Sequence, residues 1–321
     1  MPQELRSVSF IVPCLNEEAN LPPFVECVEE IRKSDPATEY HIIFVNDGST
    51  DNTLEVVRRL SRERPHVYYV SLTRNFGSHL ALQAGVDICQ TDAAVFVAVD
   101  LQNDPRLVFE MLGYAREGAE IVIGRRREKK AGWLTRALAS GFYFLFNLVG
   151  DVKLPPGGTD FVLIGRMAIE FLQKNREHHV NIFMLLLWPG FTSKTFEYAG
   201  QKRRMGRSKW TLIKRVRLAM DSFFGFSTGP LRLITLIGSL LASGSFLYML
   251  YIVIETLILG TPVPGFPTLV TIVSFGFGIT FLALGIIAEY LLRTLAFTRN
   301  RPLFVVAEKN EPPCAGHRER T

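Results

Sequence analysis

Three short apolar runs in the first hundred residues, at 8–12, 42–45 and 93–99, each stop at a polar cluster. The clusters are Pro13-Cys14-Leu15-Asn16-Glu17-Glu18, Asn46-Asp47-Gly48-Ser49-Thr50-Asp51 and Asp100-Leu101-Gln102. Between the runs the period changes. Leu21, Phe24, Val25, Val28 and Ile31 recur at helical spacing within residues 20–33, and Leu54, Val57 and Leu60 do so within 51–64. Residues 67–71 read as a further strand, 79–88 and 106–116 as helices, and 121–123 as a short strand ending at Gly124. Strand alternating with helix predicts an α/β domain with a mostly parallel sheet. Such a sheet binds ligands outside the carboxyl ends of its strands, where the three polar clusters fall. No internal repeat interrupts the pattern.

Beyond residue 230 the pattern is different. Residues 233–254 and 267–288 each run 22 residues without a charged side chain. About 20 apolar residues cross a bilayer core, so two membrane spans are expected; a soluble helix of that length ordinarily shows a charged face. The mean hydropathy of +0.17 agrees. Two stretches before the spans look amphipathic: 133–149, in which Arg136 is the only charge, and 212–226, which alternates Lys214, Arg215 and Arg217 with apolar residues. Each is a helix packed on the sheet or a helix lying in the membrane interface. The second stands just before Gly229-Pro230, which places it at the membrane surface. No short apolar leader precedes the first strand, so no cleaved signal is expected, and the polar tail after Lys309 is expected to be disordered.

Charge refines this picture. The formal charge of +5 understates the local basicity, because residues 202–217 hold eight Lys/Arg and no acid, and Arg125-Arg126-Arg127-Glu128-Lys129-Lys130 forms a second cluster. Nucleic acid is one partner for such patches. A basic, partly apolar segment ahead of a span fits anionic lipid headgroups better, so no nucleic acid partner is expected. The loop 260–266 carries no charge, whereas Arg293, Arg299 and Arg301 follow the second span, which puts both flanks in the cytoplasm. The resulting division is a cytoplasmic domain at 1–210, a juxtamembrane segment at 211–230, two spans within 231–295 and a cytoplasmic tail at 296–321. The expected location is the cytoplasmic membrane. The four cysteines form no CxxC pair, which suggests reduced thiols, and the six histidines show no ligand spacing.

Asp47 and Asp51 sit in a Gly/Ser/Thr/Asn-rich turn after a strand. Ser49 or Thr50 capping the next helix explains the hydroxyls but not the carboxylate at the strand end. An exposed acid at Asp47 would hydrogen-bond a ribose or base.

Four motifs then carry a resemblance: Val8-Ser9-Phe10-Ile11-Val12-Pro13 with Asn16-Glu17-Glu18; Val45-Asn46-Asp47-Gly48-Ser49-Thr50-Asp51; Leu72-Thr73-Arg74-Asn75-Phe76-Gly77; and Asp100-Leu101-Gln102. Together they resemble the inverting family 2 glycosyltransferases of the GT-A fold. Arg203-Arg204-Met205-Gly206-Arg207-Ser208-Lys209-Trp210, the two spans, and Gly285-Ile286-Ile287-Ala288-Glu289-Tyr290 with Arg293 and Arg301-Pro302 narrow it to the polyisoprenyl-phosphate glycosyltransferases. That group includes dolichol-phosphate mannose synthase and the bacterial undecaprenyl-phosphate glucosyl- and aminoarabinose transferases. The resemblance runs from Val8 to Val306. It implies a Rossmann-like GT-A domain with a mostly parallel sheet, followed by interfacial helices and two C-terminal transmembrane helices.

The implied reaction moves one sugar from a nucleotide-sugar, UDP-linked by resemblance, to polyisoprenyl (undecaprenyl) phosphate, with inversion. By the same resemblance Pro13, Asn16, Glu17, Asp47, Asp100 and Gln102 bind the donor, and Asp160, Asp100 and Arg203 carry the chemistry. Arg125, Arg127, Arg203, Ser208 and Lys209 hold the acceptor phosphate or the diphosphate, a task suited to guanidinium forks. The leaving diphosphate needs charge neutralisation, implying Mg²⁺ or Mn²⁺ on Asp100 and Gln102. The chain departs from the family's Asp-x-Asp at Ala98-Val99-Asp100, which keeps only the second acid; Asp104 is a nearby substitute. It departs again at Val162, where relatives often carry Arg. An acceptor phosphate, with a second pKa near ~6, is already largely ionised at neutral pH, so Asp160 is either a general base or an orienting group. Glu289 and Arg293 are spaced as an i,i+4 anchoring pair. Homo-oligomerisation, a flippase and a downstream glycosyltransferase are the further partners implied. The rival readings are a catalytically silent sugar-nucleotide or lipid-binding scaffold, supported by Ala98, and a processive polysaccharide synthase, which would need more spans and a Gln-x-x-Arg-Trp motif.

Overall fold

A computed structural model describes residues 5–127, 161–175, 181–198, 265–298 and 302–312, with scattered positions between 240 and 258. Its strands are β1 (Ser7–Cys14), β2 (Glu39–Asn46), β3 (Val67–Leu72), β4 (Ala93–Phe96), β5 (Ile121–Arg126), β6 (Phe161–Gly165), β7 (Ser193–Tyr198) and β8 (Val306–Asn310). They form one sheet in the order β7-β5-β6-β4-β1-β2-β3-β8. β3, β2, β1 and β4 run parallel, as do β5 and β7, while β6 and β8 are antiparallel to their neighbours. The fold is thus GT-A-like α/β with a mostly parallel sheet.

Strand alternation sorts the core. Val8, Phe10 and Val12 of β1 face one apolar layer and Ile11 faces the other. Helices α1 (Leu21–Ser34), α2 (Thr53–Glu63) and α4 (Val108–Arg116) cover the first layer. Helices α3 (Ser78–Asp87), α5 (Arg166–Lys174) and α6 (Ile182–Leu187) cover the second. In α1 the helical spacing read from the sequence buries Leu21, Phe24, Val25, Val28 and Ile31. A proline in its first turn removes no hydrogen bond, because those N–H groups have no intrahelical partner. Phe10 packs edge-on against Phe24 and stacked against Tyr40, with ring centroids 6.3 and 6.1 Å away. Truncating such a ring to Ala costs about 3–5 kcal/mol.

Three boundaries differ from expectation. The run 93–99 does not stay in the ladder, because β4 ends at Phe96 and Val99 packs beyond it in the first apolar layer. The strand expected at 121–123 continues to Arg126 through its pairing with β7. The sequence also gave no strand at 306–310, yet β8 closes the free edge of β3, which would otherwise be open to pairing with another chain. Arg58 of α2 holds it there, with Nε and Nη2 donating to the two oxygens of Glu308 at 2.7 and 2.6 Å.

Helix α7 (Phe266–Thr298) has 33 residues, a length of about 50 Å at 1.5 Å per residue. Judged on the described residues alone, no helix is long and apolar enough to cross a membrane, and many side chains of α7 fall outside that set. The stretches 133–149 and 212–226 lie outside the described residues, as does most of 233–254.

Candidate active site

The carboxyl ends of β1, β2, β4 and β5 meet at one edge of the sheet. β6 enters from that same edge, since Val162 lies opposite Phe96 and Phe161 opposite Gly124. Asp160 precedes β6 in sequence and lies outside the described residues, as do Arg203, Ser208 and Lys209.

The β1–β2 side is held by bonds between side chains and backbone. Asn16 is in the left-handed region at φ 52°, and its amide oxygen accepts from the Thr50 backbone N–H at 2.8 Å. Its own N–H donates to Ser49 Oγ, and that of Glu17 to Thr53 Oγ1, both at 2.9 Å. The Glu17 carboxylate accepts from Asn20 Nδ2 at 2.6 Å. Ser49 and Thr53 hydroxyls therefore dock the loop after β1 onto the turn after β2. Pro13 lies in β1 beside Val45, half-buried.

Asp47 departs from the expected exposed acid. It is 4 % exposed, and its two carboxylate oxygens accept from the backbone N–H groups of Phe76 and Gly77 at 2.7 and 3.0 Å. Burial pushes its pKa up, while those two hydrogen bonds and the Arg74 charge pull the other way. The carboxylate thus fixes the loop between β3 and α3. Gly48 permits that contact: at φ +66° it lies against this loop, and a Cβ there would stand 2.4 Å from the Arg74 carbonyl carbon. Arg74 lies over the Phe76 ring, 4.1 Å from its centroid. His79, in the first turn of α3, meets Phe183 edge-on at 5.6 Å, and neither buried ring nitrogen has a hydrogen-bond partner. Burial lowers its pKa to about 4.

The β4–β5 side is built largely from contacts between side chains. Asp100 is 4 % exposed. Its Oδ1 accepts from the Gln102 backbone N–H at 3.1 Å, and its Oδ2 from Gln102 Nε2 at 2.6 Å. The intervening Leu101 makes this turn possible by adopting φ 54°, a conformation that costs a non-glycine residue about 1–3 kcal/mol and clusters at functional sites. Gln102 Oε1 in turn accepts from Arg126 Nη1 at 3.1 Å. Asn103, next in sequence, accepts from the Tyr198 hydroxyl at 2.6 Å, which ties this loop to β7.

Of the three arginines at and just after the end of β5, sequence reasoning selected Arg125 and Arg127. Both lie near Glu197 of β7, with N···O distances of 3.8 and 3.6 Å. Arg126, between them on the alternating strand, is the one joined to the Asp100 pair. The signal was available in the period of two, because Arg126 shares a strand face with Val122 and Gly124.

Asp100 and Gln102 offer a carboxylate and an amide oxygen, hard donors that suit Mg²⁺ or Mn²⁺; such sites commonly take one or two carboxylates and complete the shell with substrate phosphates and water. Ala98 contributes no ligand. Asp104 instead accepts from the Arg106 backbone N–H at 3.0 Å, capping the short 3₁₀ turn before α4. Among the described residues no cluster of three or more His, Cys, Asp or Glu forms a metal site. The donor set fits a cation shared with a bound diphosphate better than one held by protein alone.

Comparison with known proteins gives the family. Residues 9–181 match the domain described as Glycosyl transferase family 2. The chain is 34 % identical over 304 residues to the SfII prophage-derived bactoprenol glucosyl transferase of Shigella flexneri, covering 94 % of this chain and 98 % of that protein. It is 33 % identical over 300 residues to the prophage bactoprenol glucosyl transferase homolog of Escherichia coli K12, covering 93 % and 98 %. Among solved structures, glucosyl-3-phosphoglycerate synthase from Mycobacterium tuberculosis in complex with Mn²⁺, UDP-glucose and phosphoglyceric acid aligns at 18 % identity and a TM-score of 0.47. That alignment covers 67 % of this chain and 76 % of that one.

Proposed function

The chain belongs to glycosyltransferase family 2, and on that premise we propose that it transfers one sugar from a UDP-linked donor to polyisoprenyl phosphate of the undecaprenyl type, with inversion, at the cytoplasmic face of the membrane. The observation that carries this reading is kinship along almost the whole chain with bactoprenol glucosyl transferases. The gathering of Asp100, Gln102 and Arg126 at the carboxyl edge of the sheet supports it.

An oxygen of the acceptor phosphate attacks the anomeric carbon, the bond from that carbon to the donor diphosphate breaks, and the nucleoside diphosphate leaves. The acceptor phosphate is largely ionised at neutral pH, so Asp160 orients it rather than removing a proton. Arg203, Ser208 and Lys209, with Arg126, hold phosphate oxygens; the guanidinium forks match them bidentately. Pro13, Asn16, Glu17 and Asp47 shape the nucleotide pocket, Asp47 through the loop it fixes. In this reading Arg125 and Arg127 also serve the acceptor phosphate. A divalent cation on Asp100 and Gln102 would neutralise the leaving diphosphate.

The membrane reading rests on the uncharged stretches 233–254 and 267–288. Leu269, Phe277 and Leu291 of α7 are 62, 60 and 63 % exposed, an apolar surface that water does not favour. With both flanks cytoplasmic, residues 1–210 act at the height of the lipid headgroups, 211–230 lies on the surface, 231–295 spans, and 296–321 returns to the cytoplasm. Homo-oligomers, a flippase and a downstream glycosyltransferase complete this reading.

The test is transfer from labelled UDP- and GDP-sugars to undecaprenyl phosphate in detergent. A labelled lipid from one donor is expected. Nucleotide binding without lipid product from any donor would replace the enzyme with the silent scaffold that Ala98 favours.

A further inference from the structure

We propose that Arg126 is a positioning residue that masks the amide oxygen of Gln102 until a diphosphate draws it away, so that divalent cation and nucleotide bind cooperatively. This rests on the nucleotide-sugar reading above.

The orientation of the Gln102 amide is fixed by its two neighbours. The Asp100 carboxylate, when ionised, only accepts, and it takes Nε2 at 2.6 Å; the Arg126 guanidinium only donates, and it takes Oε1 at 3.1 Å. A flipped amide would set donor against donor and acceptor against acceptor. The left-handed Leu101 and the bond from the Gln102 backbone to Asp100 hold the side chain in this position. Position 98 is alanine, so among the described residues beside Asp100 it is Gln102 Oε1 that offers a cation a further protein oxygen.

That oxygen faces a permanent positive charge. A dication and a guanidinium beside the same atom repel. A diphosphate changes the balance. Guanidinium pairs with phosphate oxygens by two parallel charge-assisted bonds, each stronger than a bond to a neutral amide. Arg126 therefore turns to the diphosphate and uncovers Gln102 Oε1 in the same movement. In a site with a second acid at position 98, the cation would have a ligand that Arg126 does not cover. Here the nucleotide supplies both the missing ligands and the unmasking, which keeps the cation from occupying the site ahead of the donor.

The experiment measures Mn²⁺ binding by electron paramagnetic resonance to the full chain in detergent, with and without UDP, and in parallel with GDP. It compares the wild type, Arg126→Met and Arg126→Lys. Without nucleotide, Arg126→Met is expected to bind Mn²⁺ about fivefold or more tighter than wild type, and the tightening produced by nucleotide is expected to shrink by a similar factor. Arg126→Lys, which keeps the charge but loses the fork, falls between them and carries the test should the Met variant lose its wild-type melting curve. Equal nucleotide-free Mn²⁺ affinity in wild type and folded Arg126→Met overturns the proposal, as does the absence of Mn²⁺ binding with nucleotide bound. Intact coupling without lipid product would instead break the functional reading alone.

Discussion

The two halves of the site rim are held by different kinds of bond. On the β1–β2 side Asn16 and Asp47 bond to backbone N–H groups of other loops, so that half is part of the fold. On the β4–β5 side three hydrogen bonds link Asp100, Gln102 and Arg126, and two of the three join side-chain termini. A pocket that recognises a nucleotide gains from rigidity, because ordering on binding costs affinity. A centre that must receive charge as a bond breaks gains from groups that can exchange partners. The comparison teaches that identical residue types, two buried aspartates at 4 % exposure, can serve opposite ends: Asp47 fixes shape, and Asp100 is the one we propose faces chemistry.

The sharpest way to break this contrast is Asp100→Ala, expected to lower sugar transfer by about 10³-fold, within the range seen for losing one charge-stabilising group, with little change in the unfolding midpoint. Near-normal transfer would remove Asp100 from the chemistry. On the other side, Gly48→Ala should destabilise by about 3 kcal/mol or more, because it combines φ +66° with a 2.4 Å clash against backbone. Denaturant unfolding would read it, and an unchanged midpoint would mean that the β3–α3 loop is not held as described. Asp47→Ala should cost about 2 kcal/mol by leaving two N–H groups without their acceptor.

A pH series sharpens the same side through His79. Its folded pKa near 4 lies below the unfolded value of about 6.5, so the unfolded chain binds the proton first as pH falls. Stability is therefore complete above pH 6.5 and declines between there and pH 4, by roughly 3 kcal/mol from this group. His79→Phe should flatten that part of the stability curve; an equally steep decline in the variant would place the titration elsewhere, and His66, whose pKa is lowered to about 4 chiefly by burial, is the group to substitute next. The smallest effect is expected at the sheet edge, far from either half. Glu308→Ala removes a partly exposed pair with Arg58 and should cost about 1 kcal/mol or less, with transfer unaffected.

Much of this was legible in the sequence. Apolar periodicity gave the first strands, the buried face of α1 and, in α2, Val57 and Leu60 but not the half-buried Leu54, and the polar clusters gave the edge at which the proposed site lies. What stayed hidden depends on partners distant in the chain. Asp47 reads as exposed because its acceptors' donors, Phe76 and Gly77, lie 29 and 30 residues away. β8 is nearly all exposed, a pattern with no apolar period, and its anchor in α2 is 250 residues upstream. Arg126 was missed for a different reason: three consecutive arginines look equivalent until strand alternation is carried through to the last residue of β5.

The central claim is that a sugar, and not a phosphosugar, moves to a lipid phosphate. The direct measurement is the stoichiometry of nucleotide product against lipid product in one reaction of the purified chain, with the lipid weighed by mass spectrometry. The account expects one nucleoside diphosphate released for each lipid formed, and a lipid carrying one phosphorus per sugar. Release of nucleoside monophosphate with a two-phosphorus lipid, or release of nucleotide with free sugar and no lipid, would contradict it.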